Sequence, residues 1–228
     1  MEWSWQAALV LAAAAALAGW CVPALVARLP EPPDPDPEKT PYADLAGAGT
    51  AVQTAAWSGL VAGLVGGALG WSWPLLYLVP LVPVGVALAW VDLRTRLLPK
   101  LVVGPCYLVV LVLLGIVTAI TGDLDALGRA FVGWLVAGGL YWLLWRFTPG
   151  MGYGDVRLSG VLGLVLAHLG WAELAVGIYA GFVVGVVGWL PLRLLGITRD
   201  RSFPFGPFML VGAVIGIVWG ADLAGRLG

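Results

Sequence analysis

The sequence predicts an all-α, polytopic membrane protein with about eight transmembrane helices, and three observations predict it. Of its 228 residues 61% are hydrophobic and only 11% charged, whereas a soluble domain carries about a quarter charged residues. It holds 33 Gly and 13 Trp, two residues enriched in membrane helices and at bilayer interfaces respectively. Its apolar residues fall in runs close to the ~20 that a helix needs to cross a bilayer, and the mean hydropathy is +0.95. An open sheet is excluded, because its edge groups would stay unsatisfied in hydrocarbon.

Taken in order, the expected spans are Trp3 to Val26, Thr50 to Leu69, the run after Trp73 to Val91, and Leu101 to Ile120. They continue with Leu127 to Trp145, the short Leu158 to Leu169, Ala172 to Leu195 and Phe205 to Leu223. The first run is expected to be retained rather than cleaved as a signal peptide. Met1 to Gln6 contain Glu2 and no Lys or Arg, where a signal peptide carries positive charge. Between the first and second spans, Leu29 to Pro41 reads LPEPPDPDPEKTP. Its alternating prolines forbid helix and favour extended chain, which makes 29–48 a short polar connector. Its acids, Glu31, Asp34, Asp36 and Glu38, could attract a basic ligand. The expected organisation is a single membrane-embedded domain over 1–228, with the first span in 1–28 and the core in 50–228.

Orientation follows from the cations. With eight spans, Arg28, Lys39, Arg94, Arg96, Lys100, Arg146, Arg157, Arg193, Arg199 and Arg201 fall on one side, and only Arg129 and Arg226 on the other. Cytoplasmic loops carry the excess of Lys and Arg, so the N-terminus is expected outside the cytoplasm. Trp3, Trp5, Trp71, Trp73 and Trp171 then lie at the outer interface. Glycine spacings in the second span (Gly63, Gly66, Gly67, Gly70) and the seventh (Gly177, Gly181, Gly185, Gly188) predict close helix packing, or an entry path for a substrate helix.

Composition also excludes functions. A net charge of -1 removes nucleic-acid binding by bulk charge. Cys21 and Cys106 form no C-x-x-C pair, and the single His168 cannot build a site that needs two. No metal and no cofactor is expected. Ser159 lacks the Gly-x-Ser-Gly setting of an intramembrane serine protease, and His168, nine positions along the same span, cannot serve it.

Acids are costly in membranes, so those at span ends on the basic side are functional candidates. Two qualify. Asp92 closes the third span in Val91-Asp92-Leu93-Arg94-Thr95-Arg96-Leu97-Leu98-Pro99, and Asp155 precedes the sixth in Gly150-Met151-Gly152-Tyr153-Gly154-Asp155. Singly, Asp92 fits an interfacial acid paired with Arg94 or Arg96, and Asp155 fits a helix N-cap. Brought together, two carboxylates share a proton, and such a pair can activate water while polarising a peptide carbonyl. Gly150, Gly152 and Gly154 would let a substrate strand approach the backbone, and Pro99 would mark a loop-to-helix boundary.

These stretches, with Phe203-Pro204-Phe205-Gly206-Pro207-Phe208, resemble the type IV prepilin peptidases, intramembrane aspartic proteases of the Gly-x-Gly-Asp class. The resemblance covers roughly 50–228. It implies Asp92 and Asp155 as the catalytic pair and Pro99, Gly150, Gly152, Gly154, Gly206 and Pro207 as structural motif members. It further implies prepilins or pilin-like proteins as substrates, cut after a short basic leader at the cytoplasmic face of the inner membrane. Many bacterial members carry a zinc-binding C-x-x-C domain, linked to N-methylation, between the first two spans. Here that stretch has no Cys, so a short form without methyltransferase activity is expected. Lys100 and Arg157 also depart from the family pattern, which bears on substrate detail. The alternative is a non-catalytic multispan transporter or assembly factor in which the two acids form a proton site.

Overall fold

The computed structural model describes residues 2–31, 41–45, 47–148, 151–194 and 204–227. Among the described residues every regular element is helical. Among those residues, seven helical segments are long and apolar enough to cross a membrane, and they match seven of the eight expected spans. The eighth, Tyr153–Leu169, has 17 residues, or ~26 Å at 1.5 Å per residue. It is the segment whose shortness the sequence announced. The helices are α1 (Trp5–Trp20), α2 (Val22–Val26), α3 (Ala48–Leu69), α4 (Leu75–Thr95), α5 (Lys100–Thr121), α6 (Leu124–Phe147), α7 (Tyr153–Leu169), α8 (Trp171–Leu194) and α9 (Gly206–Leu227). A 3₁₀ turn, Tyr42–Leu45, lies between α2 and α3. Contacts divide the chain into two compact units, Met1–Leu97 and Leu98–Gly228.

The first unit is built on the α1–α3 pair. Small residues face each other along it, so the backbones approach closely, as membrane helices require when lipid provides no hydrophobic drive. A Cβ at Gly66 would lie 2.7 Å from Leu11 Cδ1 and 3.1 Å from the Ala7 carbonyl, and one at Gly59 would lie 3.2 Å from the Ala12 carbonyl. The glycine spacing of the second span is thus packing against α1. Trp3 fills the place that a side chain at Gly67 would need, and the Ser4 N–H donates to the Gly67 carbonyl at 2.9 Å.

The first span is broken between α1 and α2, and Pro23 explains the break. Having no N–H, it leaves the Gly19 carbonyl four residues earlier without its helical donor. The Thr54 hydroxyl of α3 donates to that carbonyl at 2.8 Å. Its other acceptors in reach, Thr50 O at 2.9 Å and Ala51 O at 3.2 Å, lie in its own helix. Thr54→Val should therefore destabilise this unit by about 1 kcal/mol, the usual scale for one interhelical bond. Pro23→Ala should return most of that by restoring the helical donor. Thermal melts of the two single variants and the double variant in one detergent check this, and additive losses would refute it.

At the other end of α1–α2, the Glu31 carboxylate accepts the Tyr42 N–H at 2.5 Å, tying together the two flanks of the proline-rich connector. Tyr42 and Leu45 pack with Val22, Val26 and Val91 in one apolar cluster. Burial, and next the Glu31 carboxylate, push the Tyr42 phenol above its ordinary value. Asp34, Asp36 and Glu38 lie outside the described residues.

In the second unit α7 is the central helix, packed against α5, α6, α8 and α9. Eleven of its 17 residues are buried, against five of 24 in α6. Protein rather than lipid surrounds it, which lets it carry Asp155, Arg157, Ser159 and His168. Asp123 caps α6 through Oδ1, which accepts the Ala126 N–H at 2.8 Å. Gly122 ends α5 at φ 73°, a left-handed conformation that glycine adopts without steric cost. The α6–α7 and α8–α9 pairs repeat the glycine device. A Cβ at Gly163 would meet the Gly133 carbonyl at 2.5 Å, and one at Gly216 would sit 2.8 Å from Gly177 Cα. Glycines of the seventh expected span therefore pack on the last one.

Candidate active site

Asp92 occupies the last turn of α4, beside Val91 of the apolar cluster. The helix stops there for local reasons. The Arg96 N–H donates to the Asp92 carbonyl at 2.8 Å, and Arg96 is the single non-glycine residue with positive φ, 54°, among the described residues. Thr95 turns its hydroxyl back onto the Val91 carbonyl at 2.8 Å and accepts the Leu97 N–H at 3.3 Å. Arg94, one of the two expected partners of Asp92, lies over the Trp90 ring at 4.3 Å. A cation over an indole face is a favourable contact in its own right.

Asp155 is placed by the first turn of α7. Gly152, not Asp155, holds the N-cap position, and Asp155 is the third residue of the helix. Its Oδ2 accepts the Gly152 N–H at 3.2 Å, the carboxylate half of a capping box; Gly152 has no side chain to return the other half. The Asp155 side chain thus has a structural task as well as a chemical opportunity. A negative charge is stabilised at a helix N-terminus and disfavoured at its C-terminus, so Asp155 and Asp92 meet opposite helix fields.

The surroundings of Asp155 gather other motif residues within the second unit. Pro99 is extended (φ -61°, ψ 119°) and directly precedes α5, the boundary expected of it. Leu98 packs on Gly154. Tyr107 of α5 donates its hydroxyl to the Arg157 carbonyl at 2.7 Å. Arg157 in turn lies over Tyr153 at 4.9 Å, and Trp145 meets the same ring edge-on at 5.0 Å. Tyr141 of α6 is buried within electrostatic reach of Asp155 and stacks on Phe182 of α8 at 5.5 Å. Both rings meet Phe205, at 5.9 and 5.3 Å.

Phe205 belongs to the third motif. Its carbonyl accepts the N–H groups of Phe208 and Met209, each at 3.1 Å, and so starts α9 at Gly206. Pro207 then stands in the first turn, where a missing N–H costs nothing. Pro99, Gly152, Gly154, Asp155, Gly206 and Pro207 therefore share one end of the second unit. Gly150 and Phe203 lie outside the described residues. Ser159 is spent on its own helix, donating to the Val156 carbonyl at 2.8 Å. His168 is buried, and its carbonyl accepts from Arg129 at 3.4 Å. Tyr107 and Tyr141 are site neighbours that motif reading passes over, whereas Leu98 stands inside the first motif, directly before Pro99. For Tyr141 the available signal was a hydroxyl-bearing side chain inside the long apolar run of α6.

Seven membrane-length helical segments among the described residues make this a polytopic membrane protein, and buried acids lie at the last turn of α4 and the first turn of α7. Residues 79–221, more than half of the chain, match the type IV leader peptidase family, and the chain belongs to that family. It is 33% identical over 170 residues to a prepilin leader peptidase/N-methyltransferase of Stutzerimonas stutzeri, covering 72% of this chain and 57% of that protein. It is likewise 33% identical over 159 residues to the protein of that name from Aeromonas hydrophila, 67% of this chain and 52% of that one. Against its Pseudomonas aeruginosa namesake the identity is 31% over 171 residues, 72% and 56%. The chain thus spans about half the length of the curated relatives it matches. No solved structure matches it.

Proposed function

We propose that residues 1–228 act as one membrane-embedded aspartic endopeptidase domain, with the first span in 1–28, the connector in 29–48 and the peptidase core in 50–228. It removes the short basic leader of prepilins or pilin-like proteins at the cytoplasmic face of the inner membrane, with its N-terminus outside. Asp92 and Asp155 form the catalytic pair. One carboxylate takes a proton from water as the oxygen attacks the scissile carbonyl, while the other, protonated, donates to the carbonyl oxygen. Collapse of the tetrahedral adduct breaks the C–N bond and delivers a proton to the departing amine.

One observation carries this reading. Among the nine described acids, Asp92 and Asp155 alone are buried, 4% and 5% exposed. Burying a carboxyl is expensive unless it is compensated, so the two positions stand apart from loop acids such as Asp123 and Asp222. The family match and the names of the relatives indicate the substrate class.

The test is a cleavage assay with the whole chain purified in detergent. The substrate is a pilin precursor with a basic leader before its apolar helix, and the new N-terminus is read by mass spectrometry. Cleavage at the leader junction by the wild type is expected. A wild type that leaves the precursor intact, under conditions where an established leader peptidase cuts it, would sink the reading.

A further inference from the structure

We propose that Leu98 is a positioning residue for Asp155, seated on the bare Cα of Gly154 so that residues 98 and 154 form a size-matched pair. This rests on the peptidase reading above. Glycine is a poor helix former, and Gly154 lies inside the first turn of α7 with no left-handed φ to justify it. Within the chain itself, space supplies a reason. A Cβ at Gly154 would lie 2.7 Å from Leu98 Cβ, 3.4 Å from its Cδ1 and 3.5 Å from its Cγ. The nearest atom is the root of the side chain, so no rotamer change relieves the contact. Nor can Leu98 readily swing away, because the following Pro99 restricts its backbone to extended conformations. Gly152 differs, since a Cβ there would meet nothing nearer than Asp155 Oδ2, at an ordinary 3.5 Å.

The consequence falls on the residue next along. If the Leu98-Pro99 segment cannot move, an added methyl at 154 displaces the first turn of α7, and Asp155 moves with it. A shift of ~1 Å in a reacting group can cost about 10²-fold in rate. Leu98 touches neither water nor peptide in this scheme; it acts through Gly154.

The experiment compares Gly154→Ala, Leu98→Gly, the Leu98→Gly/Gly154→Ala double variant and the Leu98→Ala/Gly154→Ala double variant, all in the whole chain. Gly154→Ala should lower kcat for precursor cleavage by about 10²-fold while KM stays within about twofold. The Leu98→Gly double variant should regain at least about tenfold of that kcat, whereas the Leu98→Ala double variant, which keeps the offending Cβ, should not. Unchanged kcat in Gly154→Ala, or equal recovery by the two double variants, overturns the proposal. Should Gly154→Ala fail to fold, the same pattern is read from which double variant recovers a folded, active chain. Wild-type cleavage without selective rescue sinks this inference alone. Absence of wild-type cleavage sinks the peptidase reading, and the pairing is then decided by which double variant regains the melting temperature.

Discussion

Asp92→Asn and Asp155→Asn should each lower kcat for precursor cleavage by about 10²–10⁴-fold, the range a positioned general acid or base contributes. Asparagine matches aspartate in volume and can still accept a hydrogen bond, so the Gly152 N–H keeps a partner in the Asp155 variant. What it loses is the capacity to take a proton from water or give one to the carbonyl oxygen. The losses should not add in the double variant, because removing either member already disables the pair. Melting temperatures should stay close to wild type, separating lost chemistry from lost structure. Asp155→Glu retains the acid but pushes a methylene into a site only 5% exposed, so a smaller loss is expected. Either Asn variant keeping more than about a tenth of wild-type kcat would contradict a catalytic role for that residue.

The largest effect on stability is expected at Gly163. Its Cβ would lie 2.5 Å from the Gly133 carbonyl and 2.9 Å from Ala137 Cβ, atoms of backbone or side-chain root that cannot rotate aside. Gly163→Val should therefore force α6 and α7 apart, costing at least the ~1–3 kcal/mol typical of overpacking. The separation also loosens α7 against its neighbours. Gly115 of α5 makes the comparison, since nothing lies within 4 Å of its virtual Cβ. Gly115→Ala should be neutral or stabilising by up to about 1 kcal/mol, because alanine loses less backbone freedom in a helix. Thermal unfolding in a single detergent reads both. A Gly163→Val chain that melts with the wild type would refute the close-packed account of this pair.

The helices were legible because each is a long apolar run, and the short α7 was expected from Leu158, although it begins at Tyr153 and takes in Asp155 and Arg157. Why α7 tolerates those residues was not legible, since the answer is its sheath of four other helices, a property of tertiary packing. Glycines were readable as packing residues in α3 and α8, where they recur at helical spacing. Gly133 and Gly163 were not, because their meaning appears only when the two helices meet.

The candidate site was legible where chemistry is rare. Two acids at span ends in an apolar chain attract notice on cost alone. Their local roles were less so, and the N-cap expected at Asp155 falls instead to Gly152, three residues earlier. Tyr141 escaped notice because tyrosine is ordinary in membrane helices, and Leu98 was legible only as the residue before Pro99; contact with Phe205 and with Gly154 gives them their places.

The three glycine-lined pairs share one further property. In each, α1 with α3, α6 with α7, and α8 with α9, the partners are consecutive long helices of the chain. The closest approaches thus form between neighbours in synthesis, soon after the second helix of each pair leaves the ribosome. Little of the tightest packing waits for distant chain, an arrangement of low contact order that favours fast assembly. Hairpins can lock one after another as the nascent chain enters the bilayer, leaving the slower step to the bringing together of parts already formed.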